Sequence, residues 1–359
     1  MTKVDKWNFD GNKLLWHMDR VIKHYEKGER IAPIHIDCAI TKKCNAKCKF
    51  CFGIFQDMNN QQMSTKAVLN LFSTAKRLGI KSLSLIGDGE NTLHPDWAEA
   101  LRIGYESGLD LCLATNGIKM NDDEIATILN TCISLRFNLS AVGEAGYKSI
   151  HGVPQWEQVQ AHIIIASKLK QKLKSNCTLG LQMVLLPDNL EYVIPEAEFA
   201  IKHGLDYFVI KQYSDPGSDK MSPYDQTEFL SDANAYIILK RAEGLSTEKT
   251  KIVPKWNRIW SKGKRNYDRC VDCPLLFQIS GNGKCYPCGF LFGNADYCYG
   301  DLEKQTLEEI LKSDRYWNVI KFMREEFDVH KDCKGSCRHD STNEFIWNYL
   351  HKPEHINII

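Results

Sequence analysis

Short apolar runs alternate with amphipathic stretches through the first half of this 359-residue chain. PIHIDCAI (33–40), SLSLI (82–86), DLCLATNG (110–117), CISLRFNLSA (132–141), TLGLQMVLL (178–186) and DYFVIKQY (206–213) have the length and apolar character of strands. Between them, STKAVLNLFSTAKRLGI (64–80), with Ser64 as N-cap, and segments 95–107, 121–130, 156–174 and 190–203 carry helical periodicity. Strands alternating with helices imply a parallel sheet joined by right-handed crossovers, either an open doubly wound sheet or a partial barrel. In both, the loops at the carboxyl ends of the strands carry the site. NKLLWHMDRVIKHYEKGE, ahead of the first strand, reads as a helix packed under or beside the sheet. After residue 213 the pattern changes: SDPGSDKMSPYDQ is turn-rich, a helix is expected over 225–243, and from RNYDRCVDCP onward the chain is cysteine-dense and punctuated by glycine. The expected organisation is an N-terminal helical extension (1–32), an α/β domain (33–213), a linker with a helix (214–262), a cysteine-rich domain (263–345) and a tail (346–359).

Composition narrows the class. With 43% hydrophobic and 25% charged residues the chain has an ordinary folded balance, and a net charge of +1 gives no electrostatic footprint for nucleic acid. The N-terminus lacks the apolar core of a signal peptide, and no apolar run approaches the roughly 18 residues a membrane span needs. A cytoplasmic protein is expected. In that reducing compartment fourteen cysteines point to metal or iron-sulfur binding rather than to a disulfide framework.

Three of them, Cys44, Cys48 and Cys51, stand within TKKCNAKCKFCFG (41–53). The spacing C-x3-C-x2-C puts three thiolates on one tight loop after the first strand. That is enough to hold three irons of a four-iron cluster and leave the fourth with an open position. The competing reading is a zinc knuckle with a distant fourth ligand, but zinc pairs are usually spaced C-x2-C or C-x4-C.

CNAKCKFC, with Phe50 directly before its last cysteine, resembles the cluster loop of the radical S-adenosylmethionine (SAM) enzymes. LIGDGENTLHP (85–95) is similar to that family's Gly-Gly-Glu segment after the second strand, here in the form Gly-Asp-Gly-Glu. The resemblance implies a partial (β/α)6 TIM-like barrel, a 4Fe-4S cluster on Cys44, Cys48 and Cys51, and SAM as cofactor. It further implies that the backbone of Gly87, Asp88, Gly89 and Glu90 holds the methionine amino group of SAM. ATNG (114–117) and FNLSA (137–141) also resemble family positions, so Asn138, Ser140 and Gln182 are candidates for the ribose or carboxylate of SAM, or else satisfied core polar groups.

CVDCPLLFQISGNGKCYPCGF and CKGSC resemble the auxiliary-cluster domain called SPASM, or its shorter relative the twitch domain. The resemblance implies an auxiliary 4Fe-4S cluster. A full SPASM domain has further cysteines around the C-x3-C pair that this chain lacks, so one auxiliary cluster is expected, not two. Cys273, Cys288, Cys333 and Cys337 are the first choice of ligands, with Cys270 the substitute and a zinc ribbon the competing reading. Cys285 and Cys298 are spare thiols, candidates for donating a hydrogen atom to a substrate radical.

The opening KLLWHMDRVIKHYEKGERIAPIHI and the closing CRHDSTNEFIWNYLHKPEHINII look similar to SPASM members associated with sugar and surface-glycan gene sets. Many peptide-modifying relatives carry a leader-peptide-binding domain ahead of the barrel, and the 32 residues before the first strand leave no room for one. The expected substrate is therefore a small polar molecule, a sugar, aminosugar or related polyol, that is oxidised or epimerised. A radical peptide maturase and a non-catalytic iron-sulfur or zinc sensor are the alternatives. Lys42, Lys43, Lys47 and Lys49 flank the cluster loop and suit an acidic flavodoxin or ferredoxin as electron donor. Lys211, Gln212 and Tyr213 end the sixth strand, where they can touch substrate.

Overall fold

The computed structural model describes residues 11–51, 53, 59–213, 233–261, 264–333 and 337–358. Residues 214–232, which hold most of the expected linker and part of its helix, lie outside the described residues.

All six expected strands form: β1 His35–Cys38, β2 Ser82–Leu85, β3 Asp110–Thr115, β4 Ser134–Asn138, β5 Thr178–Leu185 and β6 Tyr207–Gln212. They pair in parallel and in strict sequence order, with Asp37 opposite Ser84 and Ser84 opposite Cys112. A doubly wound sheet reverses its strand order at a switch point. This sheet does not, so the fold is the partial barrel. Four further runs extend it without announcing themselves in the sequence. β7 (Lys251–Pro254) pairs with β6, while β8 (Leu276–Ile279) pairs in parallel with β1 on the other side. β9 (Lys284–Tyr286) and β10 (Gly300–Asp301) then complete one ten-stranded sheet in the order 10-9-8-1-2-3-4-5-6-7.

Side chains alternate across each strand. One face carries Ile36, Cys38, Leu83, Leu85, Leu111, Leu113, Leu135 and Phe137, all buried in the main core under the helices. The helices form where expected; Thr65–Thr74 is capped by Ser64, whose hydroxyl accepts the Ala67 N–H. Asn121 and Glu124 make a capping box on Asp122–Thr131, satisfying otherwise orphaned backbone donors. The other face of the sheet is concave and carries Asp37, Ser84, Cys112, Arg136, Asn138 and Lys211, most of them only half-buried.

The N-terminal helical turns, Gly11–Glu26 in three successive helical forms, sit beside the C-terminal helix Asp340–Leu350 rather than under the barrel. Leu14, Val21, Ile34, Val271, Leu275 and Ile346 make a second, smaller core there, and the Tyr25 hydroxyl donates to the Val271 carbonyl at 2.5 Å. Among the described residues no helix is long and apolar enough to cross a membrane.

Candidate active site

The cysteine loop leaves β1 at its carboxyl end and is clamped from two sides. On one side lies the loop after β2. The Ile40 N–H donates to Asn91 Oδ1 at 2.9 Å and the Glu90 N–H donates to the Lys43 carbonyl at 2.8 Å. The approach is so close that a Cβ on Gly89 would stand 2.1 Å from the Thr41 carbonyl oxygen, and one on Gly87 would stand 2.5 Å from the Ala39 Cβ. Only glycine permits that contact. On the other side the Lys47 and Lys49 N–H groups donate to the His151 and Ile150 carbonyls at 2.9 Å each.

The acids of the Gly-Asp-Gly-Glu segment hold loops together. Asp88 accepts from the Ser280 hydroxyl at 2.6 Å and the Gly281 N–H at 2.9 Å, tying the cysteine-rich domain to the barrel, and faces buried Lys42 at 3.8 Å. Glu90 accepts from the Thr92 and Thr115 hydroxyls at 2.8 Å each and from the Asn116 N–H at 2.7 Å. Burial raises its pKa, and those hydrogen bonds oppose the rise. Among the described residues, the carbonyls of Gly87, Asp88 and Gly89 accept no hydrogen bond.

Of the three polar candidates farther along the sheet, the structure separates one from the other two. Ser140 is fully buried and satisfied: its Oγ accepts the Val184 N–H at 3.0 Å, its N–H donates to His151 Nε2 at 3.0 Å and its carbonyl accepts from Asn189 at 2.9 Å. It is a structural residue. Asn138, the last residue of β4, stands in register with Gln182 within β5. Asn138 Oδ1 is buried with no partner, as is Asn91 Nδ2 beneath the cysteine loop. Buried orphans of this kind are rare unless a ligand completes them.

The three thiols of the loop lie near one another under burial. Burial pushes the Cys44 thiol up to about 11, and the Cys48 thiol is raised by burial and by the nearby Cys51 and Cys44. Sequence reasoning missed the partner of Cys48. His151, from the last turn of helix Glu144–His151, is fully buried, stacks on Tyr147 at 4.4 Å and meets the edge of Phe50 at 5.5 Å. Its Nδ1 stands 3.3 Å from Cys48 Sγ. Burial lowers its pKa to about 3, so the ring is neutral. Because Nε2 accepts from Ser140, the proton sits on Nδ1 and is donated to Cys48. No signal in the sequence links residues a hundred positions apart.

The cysteine-rich domain brings its candidate ligands close together. Cys288 neighbours Cys337 and Cys333, while Cys270 lies first against Cys273 and also within reach of Cys337. Cys273 is wholly buried, with its thiol donating to the Cys270 carbonyl. Between these two touching thiols we propose Cys270, which has Cys337 in reach, for the fourth position. The spare thiols are also misplaced for a substrate. Cys285 is fully buried beside Cys298 and Cys38, on the helix-covered face of the sheet, so neither faces the concave side. The thiol on the concave face is Cys112, hydrogen-bonded to Ser84 and close to Arg136 and Arg338. The alternation in DLCLAT could have found it.

Among the described residues no three His, Cys, Asp or Glu side chains converge on a single metal ion. A four-iron cluster does not ask for that, because each of its thiolates ligates a different iron. The radical SAM superfamily matches residues 38–200, and the iron-sulfur cluster-binding SPASM domain matches residues 275–338. The chain belongs to the radical SAM superfamily. Among its relatives, a probable GTP 3',8-cyclase from Saccharolobus solfataricus is 32% identical over 124 residues, 33% of this chain and 39% of the cyclase. The chain therefore matches well under half of that relative's length. An AdoMet-dependent heme synthase from Methanosarcina barkeri is 22% identical over 328 residues, 85% of this chain and 88% of the synthase. Among solved structures, Streptococcus suis SuiB bound to S-adenosylmethionine superposes with a TM-score of 0.66 at 16% identity, covering 91% of this chain and 78% of SuiB. At that identity the likeness shows the fold alone.

As a radical SAM chain it takes a 4Fe-4S cluster and SAM in its barrel, and its SPASM domain takes auxiliary iron-sulfur. The residues fit both groups. Cys44, Cys48 and Cys51 would hold the first cluster, while the Gly87–Gly89 backbone and the orphaned Asn138 Oδ1 would offer acceptors to an amino group and a hydroxyl. Replacing His151 by Phe removes the donor on Cys48 and is expected to weaken iron retention at that cluster about 10–100-fold, read as release to a chelator. His151→Gln, which keeps a donor, should recover part of it; equal retention in all three proteins would show that the hydrogen bond does not support the cluster.

Proposed function

We propose that this chain is a radical SAM enzyme acting on a small polar substrate, a sugar, aminosugar or related polyol, which it oxidises or epimerises. Held by Cys44, Cys48 and Cys51, a reduced 4Fe-4S cluster would supply the one-electron reductive cleavage of SAM that makes hydrogen abstraction from the substrate possible. The observation that carries the substrate reading is the polar concave face running down from the SAM end of the strands. Ser82 and Ser84 donate to or share hydrogen bonds with His35, and Asp37 is held by the Arg338 guanidinium, Nη2 to Oδ1 at 2.9 Å. Burial alone would raise the Asp37 carboxyl, but Arg338 and His35 hold it well below the usual carboxylate range. A face of hydroxyls, amides and charged groups suits a hydroxylated molecule rather than an apolar one.

A peptide substrate is the second reading, since a SuiB structure of the same fold holds a precursor peptide. The two part experimentally. Anaerobically reconstituted protein with dithionite and SAM is expected to form 5'-deoxyadenosine faster with a sugar or aminosugar than with short peptides; stimulation by peptides alone overturns the sugar reading. In deuterated water, a product two hydrogens lighter with no deuterium means oxidation, with the electron passing to the auxiliary cluster. Deuterium in a product of unchanged mass class means epimerisation, and Cys112, rather than Cys285 or Cys298, then supplies the hydrogen atom. Oxidation is the expected outcome, because the chain carries a full set of candidate thiols for an auxiliary cluster that can accept the electron.

The electron donor is expected to meet a smaller basic surface than four lysines suggest. Lys42 is buried against Asp88, Lys43 donates to Gln62 at 2.8 Å and Lys49 pairs with Asp188 at 3.0 Å. Lys47 and Lys49 are the exposed pair.

A further inference from the structure

Four cations gather at the concave face with one carboxylate between them. Lys211 on β6 lies within electrostatic reach of Arg136 on β4, Arg258 on helix Trp256–Ser261, and Arg338. Asp37 is the carboxylate, and Arg338 takes it in a bidentate grip with Nε on one oxygen and Nη2 on the other. That leaves Arg136 and Lys211 without a carboxylate among the described residues. The Arg136 Nε is buried and has no hydrogen-bond partner, and no described residue accepts from the Lys211 ammonium. Both side chains stand on the same face: Arg136 is in register with Gly180, where Tyr207 covers the missing side chain, and Lys211 is in register with Val184.

Even half-buried cations that repel one another are costly unless an opposite charge joins them. Burial and the three guanidinium groups lower the Lys211 pKa to about 7, the signature of a cation that lacks its counter-charge. A strand interior gains nothing from an unpaired guanidinium, whereas a bound anion would satisfy it with two charge-assisted hydrogen bonds.

We infer that the substrate carries an anionic group, a carboxylate or a phosphate, which Arg136 and Lys211 hold on the concave face. This rests on reading that face as the substrate chamber, and it narrows the substrate to a sugar phosphate, a sugar acid or a molecule of similar charge. The group orients the rest of the substrate toward the SAM end of the strands, where Asn138 and Gln182 stand.

The test uses the reconstituted full chain with SAM bound, titrated calorimetrically with inorganic phosphate and with malonate. One or both are expected to bind, and Arg136→Gln or Lys211→Met should each weaken binding about 10–100-fold, as loss of a hydrogen bond to a charged group does. Arg136→Lys and Lys211→Arg keep the charge and should retain most of the affinity, which separates loss of the anion site from loss of the fold. Tighter phosphate than malonate identifies a phosphoryl group, and the reverse a carboxylate. Binding unchanged in both neutral variants means an adventitious surface ion only, and that result, or no binding of either anion, overturns the inference. Reductive SAM cleavage measured on the same wild-type sample keeps the readings apart: cleavage without anion binding sinks only the anionic substrate, while absence of cleavage sinks the enzyme reading itself.

Discussion

Replacing Cys44, Cys48 and Cys51 together by Ala is expected to halve the iron of the reconstituted protein, from about eight to about four per chain, and to abolish SAM cleavage. The effect is total because nothing nearby can substitute. The loop bearing the three thiols is fixed by Asn91 and Glu90 on one side and by the end of helix Glu144–His151 on the other, and the glycines at 87 and 89 allow the backbones to touch. No other cysteine is described at that end of the sheet: Cys112 lies one strand pair away on the concave face, and Cys38 points into the core. The same hydrogen bonds persist when the thiols become methyl groups, so the variant keeps the loop and loses only its ligands. Iron and sulfide assays with 5'-deoxyadenosine chromatography read the result. Eight irons retained in the triple variant would place the first cluster elsewhere.

What the sequence shows and hides follows from locality. The six barrel strands are visible because each alternates or runs apolar over five or more residues, and the cluster loop is visible because its three ligands are neighbours in the chain. β7 is hidden because Lys251–Pro254 has two apolar residues ahead of a proline, and β8 because Leu276–Ile279 lies inside a cysteine-dense stretch that draws attention elsewhere. His151 and Arg338 reach their partners only after folding, across about a hundred and three hundred positions respectively, as the contacts to Cys48 and Asp37 show. Burial is equally silent: Lys42 and Lys47 read alike in TKKCNAKC, yet one is a buried partner of Asp88 and the other is exposed. The spare cysteines show the limit of counting. Cys285 was a free thiol by elimination, but its place in β9 turns it toward Cys38 and the core, where a thiol behaves as a small inert hydrophobe.

The barrel and the cysteine-rich domain act as one body through two joints. Ser280 and Gly281, at the turn between β8 and β9, are fastened to Asp88, and a Cβ on Gly281 would stand 2.2 Å from the Thr41 carbonyl carbon. Arg338, the residue after Cys337, reaches into the concave face and grips Asp37. Cys337, a candidate auxiliary ligand, is therefore covalently next to a group that reaches the concave face of the sheet.

Cys270→Ala is expected to remove the auxiliary cluster, lowering iron from about eight to about four per chain, while Cys273→Ala leaves it near eight. The two residues are three positions apart, and spacing alone favours neither. In the fold Cys270 lies against Cys273 and also within reach of Cys337, which neighbours Cys333 and Cys288, and Asn343 fixes the segment by accepting the Val271 and Asp272 N–H groups at 2.7 and 3.0 Å. The Asn343 amide also donates to Cys270 Sγ at 3.8 Å, the kind of neighbour that orients a ligand. Cys273 is wholly buried in the main core, in the same cluster as Tyr299 and Tyr316. Because Cys44, Cys48 and Cys51 are untouched in either variant, SAM cleavage is expected to continue in both. An oxidised product should be lost with Cys270→Ala alone, since the electron then has no acceptor beside the substrate. Loss of half the iron from Cys273→Ala with full retention in Cys270→Ala would reverse the assignment.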